Sequence, residues 1–180
     1  PDPQRSTVLA IGGGVGIPPI YFLAEKLKDR SDNSLLVLMG SEVPFPFKLG
    51  ESSSSLDGIS SDVSAHVADL EAWRIASRLA SNAGYTGCYQ GYVTDLARSW
   101  LAALPAERLE DVQIVSCGPM PMLAAAATLA EDYGLPCQVA VEEYMACGVG
   151  GCAGCTILIR TSAGPTMKRV CVDGPGFKAQ

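Results

Sequence analysis

The chain has 180 residues, 48% of them apolar, enough to bury a core as one large domain or as a medium domain with a small companion. Nineteen Asp and Glu against thirteen Lys and Arg leave a formal charge of −6, which argues against nucleic acid or an anionic membrane surface as a partner. No apolar run approaches the ~20 residues of a membrane-spanning helix and no signal peptide is legible, so a cytoplasmic protein is expected.

The chain opens Pro1-Asp2-Pro3-Gln4 with no Met, which reads as a fragment or a processed piece. Residues 7–11 (TVLAI) predict a short buried strand, followed at once by Gly12-Gly13-Gly14-Val15-Gly16. A helix is expected over 17–30, with Ile20, Leu23, Ala24 and Leu27 on one face. Pro18 and Pro19 suit its first turn, where a missing N–H costs little. Residues 35–39 predict a second buried strand, completing a βαβ unit whose crossover should be right-handed.

Residues 42–64 are polar, with four consecutive Ser at 52–55, and read as an irregular loop. A short helix is expected over 67–73, a strand over 75–80, a turn at 81–84 and a helix over 92–104. Another strand covers 112–116. Cys117-Gly118-Pro119 breaks it, and an Ala-rich helix over 120–133 ends at Gly134 and Pro136. A last strand covers 137–141. Such alternation implies an α/β fold, a doubly wound parallel sheet with helices on both faces. Near residue 142 the composition turns to Gly and Cys, so the expected domains are 1–142 and 143–180, the second with short strands at 156–160 and 166–170.

Two glycine turns should share the carboxyl edge of that sheet, where ligands bind. Gly12, Gly13, Gly14 and Gly16 lie between a strand and a helix, and free N–H groups there suit a diphosphate, although a plain tight turn has the same signature. The segment is not G-x-G-x-x-G, because Ile17 stands where the third Gly would fall. Cys117, Gly118, Pro119 and Met120 open a second helix at the same edge. Thr94 starts a third, as a polar contact or as a simple helix-start residue. The sole His, His66, reads as a surface residue, and Glu142 and Glu143 as solvated or structural. No catalytic triad or carboxylate pair is legible, so no catalytic residue is assigned.

Seven Cys in a chain without secretory signals point to metal or redox chemistry rather than disulfides. The spacing Cys147-x4-Cys152-x2-Cys155-x15-Cys171 matches the plant-type [2Fe–2S] loop with a distant fourth ligand. Three thiolates from one loop must wrap the cluster closely, and Gly148, Gly150, Gly151 and Gly154 supply small or left-handed positions with free N–H donors. A four-thiolate zinc site would favour paired C-x2-C knuckles, and only one is present. Cys88 and Cys137 read as ordinary small apolar residues.

GGGVGIPP at 12–19, GYVTD at 91–95, SCGPMPML at 116–123, ACGVGGCAGC at 146–155 and RVCVDGP at 169–175 together resemble the electron-transfer subunit of type B dihydroorotate dehydrogenase, in the ferredoxin-reductase-like superfamily. The resemblance implies an oxidoreductase component of pyrimidine biosynthesis. It would pass electrons from NADH via FAD and a [2Fe–2S] cluster to the FMN of a catalytic barrel subunit, without forming orotate itself. Gly12 to Gly16 would face the NAD diphosphate, residues 117–120 would lie by the nicotinamide, and the four Cys would hold the cluster. The subunits would pair as a heterotetramer of two of each. The family's N-terminal FAD-binding barrel, with its Arg-x-Tyr-Ser-type motif, is not seen in this sequence, so FAD is not expected on these residues alone. The same residues also fit the reductase arm of a sulfide dehydrogenase or ferredoxin:NADP oxidoreductase, or a non-enzymatic redox sensor. Gly40-Ser41-Glu42 offers no basic residue for a 2′-phosphate, which favours NAD over NADP.

Overall fold

The computed structural model describes residues 5–30, 34–161 and 163–179. Seven uncharged residues form β1 (Thr7–Gly13), and six of them are buried. A strand that is apolar throughout must be covered on both faces, so it takes a central place in a parallel sheet. β1 leads through a 3-10 turn (Gly14–Gly16) into α1 (Ile17–Leu27) and then into β2 (Ser34–Gly40), which pairs parallel with β1 from Thr7↔Ser34 to Gly13↔Gly40. α1 ends at Leu27, earlier than expected. Its buried stripe of Ile17, Ile20, Ala24 and Leu27 runs out there, and the Arg30 N–H bonds back to the Leu27 carbonyl in a turn.

The remaining elements are β3 (Leu49–Glu51), β4 (Ala65–Val67), α2 (Ala68–Ala72), β5 (Ala76–Ala80), α3 (Val93–Ala103), α4 (Ala106–Leu109), β6 (Val112–Cys117), α5 (Met120–Asp132), β7 (Cys137–Ala140), β8 (Thr156–Thr161), β9 (Gly164–Arg169), α6 (Val170–Asp173) and β10 (Gly176–Ala179). The main sheet has the order β10-β7-β6-β1-β2-β5. Five of its strands are parallel, and β10 is antiparallel to β7 at the edge. The chain thus leaves the sheet after β7 and returns to it at β10.

Alternation along the strands sorts the core into two layers. Leu9, Ile11, Leu36, Leu38 and Ile114 face α3 and α5, where Leu96, Trp100, Leu101 and Leu129 cover them. Ala10, Val37, Met39 and Leu79 face the other way, onto Ile17, Ile20 and Ala24 of α1 and Leu70 of α2. A third, small core joins the C-terminal segment to this body. Leu123 of α5 and Val141 pack there with Cys155 and Val170, alongside Met122, Ile157 and Phe177.

The polar stretch is more ordered than its composition suggests. β3 lies within it and pairs antiparallel with β4, and Leu56 and Ile59 tuck against the larger core. His66 is a correction: it lies on β4 and is buried rather than on the surface. Its cross-strand partner explains this. Gly50 stands opposite His66, and a Cβ at Gly50 would lie only 2.7 Å from the imidazole Cε1.

Gly16 is the tightest point of the sheet's carboxyl edge. A methyl group there would collide with the Cys117 carbonyl. Gly16→Ala is therefore expected to cost about 3 kcal/mol or to prevent folding. Gly134→Ala should cost only about 1–2 kcal/mol, because its φ of +64° is strained for a side chain but nothing lies within 4 Å. Urea-unfolding midpoints of the two variants check that order.

Candidate functional site

Strand order reverses between β1 and β6. The chain runs from β1 outward through β2 to β5, then restarts at β6 on the other side. Ligands of doubly wound sheets bind in the crevice at that point. The register Gly12↔Cys117 sets the two glycine turns side by side there.

A cleft of about 630 Å³ opens over the carboxyl ends of β1, β2 and β5. Gly13, Gly14, Gly40, Ser41, Glu42, Val43 and Ala80 line its strand side, and Gly91, Tyr92, Val93 and Thr94 line the start of α3. Pro119, Pro121, Met122 and Ala125 complete it from the α5 side. Among the sequence-predicted residues, Gly13, Gly14, Thr94 and Pro119 reach this cleft, and Gly12, Gly16, Cys117 and Gly118 take packing positions around it. Gly12 lets α1 approach β1, since a Cβ there would lie 3.2 Å from Ile20. Gly16 admits the Cys117 carbonyl, and Gly118 sits under the Met122 methyl group. Met120 is half exposed at the start of α5. Cys117 is buried in the core beneath α1, and burial, then Glu142, pushes its thiol pKa up.

The sequence reading did not single out Met122. Its sulfur lies where a Gly13 side chain would be, so it forms the cleft wall between the two turns. The available signal was its place in the first turn of a helix that starts at the sheet edge. Glu42 is held in the cleft mouth, where its carboxylate accepts bonds from the Asn82 backbone N–H at 3.3 Å and the Asn82 amide at 3.2 Å.

The second constellation is the cysteine loop. Gly148 and Gly150 adopt φ of +67° and +80°, which lets the chain curl between Cys147 and Cys152. Ala153 also takes a left-handed φ of 56°. The four thiols approach as two pairs. The Cys152 N–H donates to the Cys147 sulfur at 3.4 Å, and the Cys171 N–H donates to the Cys155 sulfur at 3.4 Å. Backbone N–H groups of Cys152, Val149 and Gly151 pull the Cys147 pKa down to about 6. The Cys171 N–H lowers that of Cys155, while the bond to Cys155 and burial raise that of Cys171. Among the described residues, no three His, Cys, Asp or Glu side chains are gathered as a ready ion site. The donor set still fits an iron–sulfur cluster: thiols of one loop, N–H groups aimed at their sulfurs, and a returning fourth thiol.

The return is braced. The Arg169 guanidinium donates to the Gly150 carbonyl at 3.0 Å and to Asp173 at 3.2 Å. Asp173 also accepts the Arg169 backbone N–H at 2.8 Å, and these bonds hold its carboxyl below the usual range. One turn of α6 therefore carries Cys171 at a fixed place against the loop. That turn replaces the end of the strand expected over 166–170, because Asp173 reaches back to the N–H of Arg169, the residue before the turn, while the Val170 N–H donates to the Cys155 carbonyl at 3.0 Å.

Residues 142–180 match the iron–sulfur cluster binding domain of dihydroorotate dehydrogenase B. Nearly the whole chain (98%) is 34% identical over 178 residues to the dihydroorotate dehydrogenase B (NAD(+)) electron transfer subunit of Caldanaerobacter subterraneus subsp. tengcongensis. The chain is similar to these electron-transfer subunits over nearly its whole length. It is 32% identical over 176 residues, 97% of its length, to the corresponding subunit of Bacillus velezensis. The chain spans 59% and 56% of those two relatives. Among solved structures, it superposes with a TM-score of 0.65 and 25% identity on a chain of the NADH-dependent reduced ferredoxin-NADP oxidoreductase, covering 98% of this chain and 53% of that one. The ferredoxin reductase of carbazole 1,9a-dioxygenase (TM-score 0.51, 20% identity, 75% of this chain and 36% of that one) shares the fold. The expected ferredoxin-reductase-like fold with a small iron–sulfur segment is therefore what the chain has.

Thiol reactivity reads this geometry directly. In chelator-stripped, reduced protein, Cys147 should be alkylated first by iodoacetamide, with a rate that rises through pH about 6 as its thiolate forms. Cys137, whose thiol burial pushes up to about 11, should be the last to react. Peptide mapping after timed quenching checks the order.

Proposed function

We propose that this chain is the nucleotide and iron–sulfur part of the electron-transfer subunit of a dihydroorotate dehydrogenase B in pyrimidine biosynthesis. Residues 1–142 would hold NAD(H), and residues 143–180 would hold a [2Fe–2S] cluster on Cys147, Cys152, Cys155 and Cys171. Gly13 and Gly14 present backbone N–H groups to a diphosphate, and Thr94 offers a hydroxyl across the cleft. Pro119 and Met122 offer apolar surface to a nicotinamide ring. Glu42 stands at the mouth with no Lys or Arg among the cleft residues, which suits a ribose hydroxyl and repels a 2′-phosphate.

A nicotinamide exchanges electrons in pairs as hydride, whereas a bound [2Fe–2S] cluster would supply single-electron transfer, so FAD is the converter this wiring requires. The wiring serves either direction. NADH oxidation would send electrons toward the partner's FMN. Net oxidation of dihydroorotate releases a pair that must end on NAD+, and so draws them back. The observation that carries the proposal is a shared wall: Met122 lines the cleft and also packs on the small core that holds Cys155 and Val170.

The FMN-containing catalytic subunit would dock at the thiol loop, in a heterotetramer of two of each. Tyr144, Met145 and Val149 are exposed along the loop. Leu158 and Met167, opposite each other in the β8–β9 ladder, add an apolar patch nearby. A second reading, the reductase arm of a ferredoxin:NADP oxidoreductase, draws on the 0.65 TM-score superposition over nearly the whole chain. The two differ in which flavoprotein copurifies.

Reconstitution tests the proposal. The full-length subunit with its FMN partner should reduce NAD+ as dihydroorotate becomes orotate, and neither subunit should do so without the other. NAD-linked orotate formation by one subunit alone would contradict it. Within the cleft, Ala125→Trp should weaken NADH binding about tenfold or more by calorimetry, with iron content unchanged.

A further inference from the structure

Away from the cleft and the thiol loop, the edge strand β5 carries a buried cation. Arg78 is only 3% exposed. Its Nη1 donates to the Ser77 carbonyl at 2.7 Å and its Nη2 to the Ser54 carbonyl. Its Nε is sealed from solvent with no partner. No carboxylate among the described residues bonds to this guanidinium. Burial lowers its pKa, and only Glu71 acts in the opposite sense. Two neutral carbonyls leave the charge uncompensated, and a buried charge without a counter-ion is costly.

Arg78 lines a cavity of about 100 Å³. Ser52, Ser53, Ser54, Ser55, Ser60 and Ser61 form most of its wall, and no Asp or Glu lines it. The nearby Asp57 carboxylate is turned to Arg108 at 2.7 Å. Hydroxyls and a guanidinium are all donors, and the planar guanidinium matches a tetrahedral oxyanion with paired N–H···O bonds. Water occupies roughly 30 Å³ per molecule in the liquid, so this volume takes about three waters or one small oxyanion, and no nucleotide.

We propose that Arg78 and the serine loop at 52–61 form a binding site for a free tetrahedral oxyanion of the size of inorganic phosphate. The anion neutralises the guanidinium and fastens the serine loop to β5. That strand ends two residues later at Ala80, in the wall of the cleft. The serine run in the middle of an otherwise turn-rich segment thereby has a use that loop formation alone does not require.

The test is a calorimetric titration of the full chain with inorganic phosphate, beside a sodium chloride control of matched ionic strength and a parallel melting curve. Saturable phosphate binding and a raised melting temperature are expected, with sulfate acting alike and chloride without effect. Arg78→Met should weaken binding about tenfold or more. A buried arginine can also be needed for folding, so Ser55→Asp, at an exposed position, carries the test independently. It places a carboxylate at the cavity and should abolish phosphate binding while the circular dichroism spectrum stays that of the parent. No saturable binding by the parent chain, a response matched by chloride, or an equal response in a folded Ser55→Asp protein overturns the proposal. Phosphate held at the Gly13–Gly14 turn would persist in both variants, so its loss in Arg78→Met and Ser55→Asp reads the serine-loop cavity and not the nucleotide cleft.

Discussion

The contact on which the site depends is backbone against backbone at the sheet's switch point. Gly16 lies so close to the Cys117 carbonyl that no side chain fits between them. Because of it, the turn after β1 and the turn after β6 abut, and α1 and α5 start from one edge. Gly12 and Gly118 serve the same approach, one beneath Ile20 and the other beneath Met122. Glycines that read as phosphate contacts thus divide the work. Gly13 and Gly14 face the cleft, and their neighbours make room for the helices that frame it.

The iron–sulfur segment is not an appendage on a tether. β10 extends the main sheet, the Val141 N–H bonds to the Pro175 carbonyl at 2.9 Å, and the small core ties Cys155 and Val170 to Leu123 of α5. Electron transfer between carriers needs fixed, short separations. A segment anchored at both its sheet-side entry and its exit can keep them, with Arg169 and Asp173 holding the returning thiol against the loop. The thiols sit beside backbone donors, which favours thiolate and hence metal ligation at neutral pH for Cys147.

Much of this was legible in the residues. The 7–11 and 35–39 runs announce central parallel strands because they are almost wholly apolar, and the cysteine spacing marks the segment that matches the iron–sulfur cluster binding domain. Less visible were elements whose reasons are tertiary. β10 is four residues with one large apolar side chain, Phe177, and exists because β7 offers it an edge. α6 is a single turn set by the bond of Asp173 back to the Arg169 N–H. His66 looks like a surface residue until Gly50 is seen opposite it. Met122 was hidden for a similar reason. Its role follows from the absence of side chains at Gly13 and Gly118, which lie more than a hundred residues and four residues away in sequence.

The central claim is that the four thiols act as one ligand set within the body that carries the cleft. The direct measurement is iron and acid-labile sulfide content, with visible and low-temperature EPR spectra, on anaerobically purified chain and on Cys171→Ser. The account predicts two irons and two sulfides per chain, a reddish-brown absorbing protein with a rhombic signal on one-electron reduction, and a large loss of both in the variant. Colourless protein that stays without iron after reconstitution, or that holds zinc instead, would contradict it.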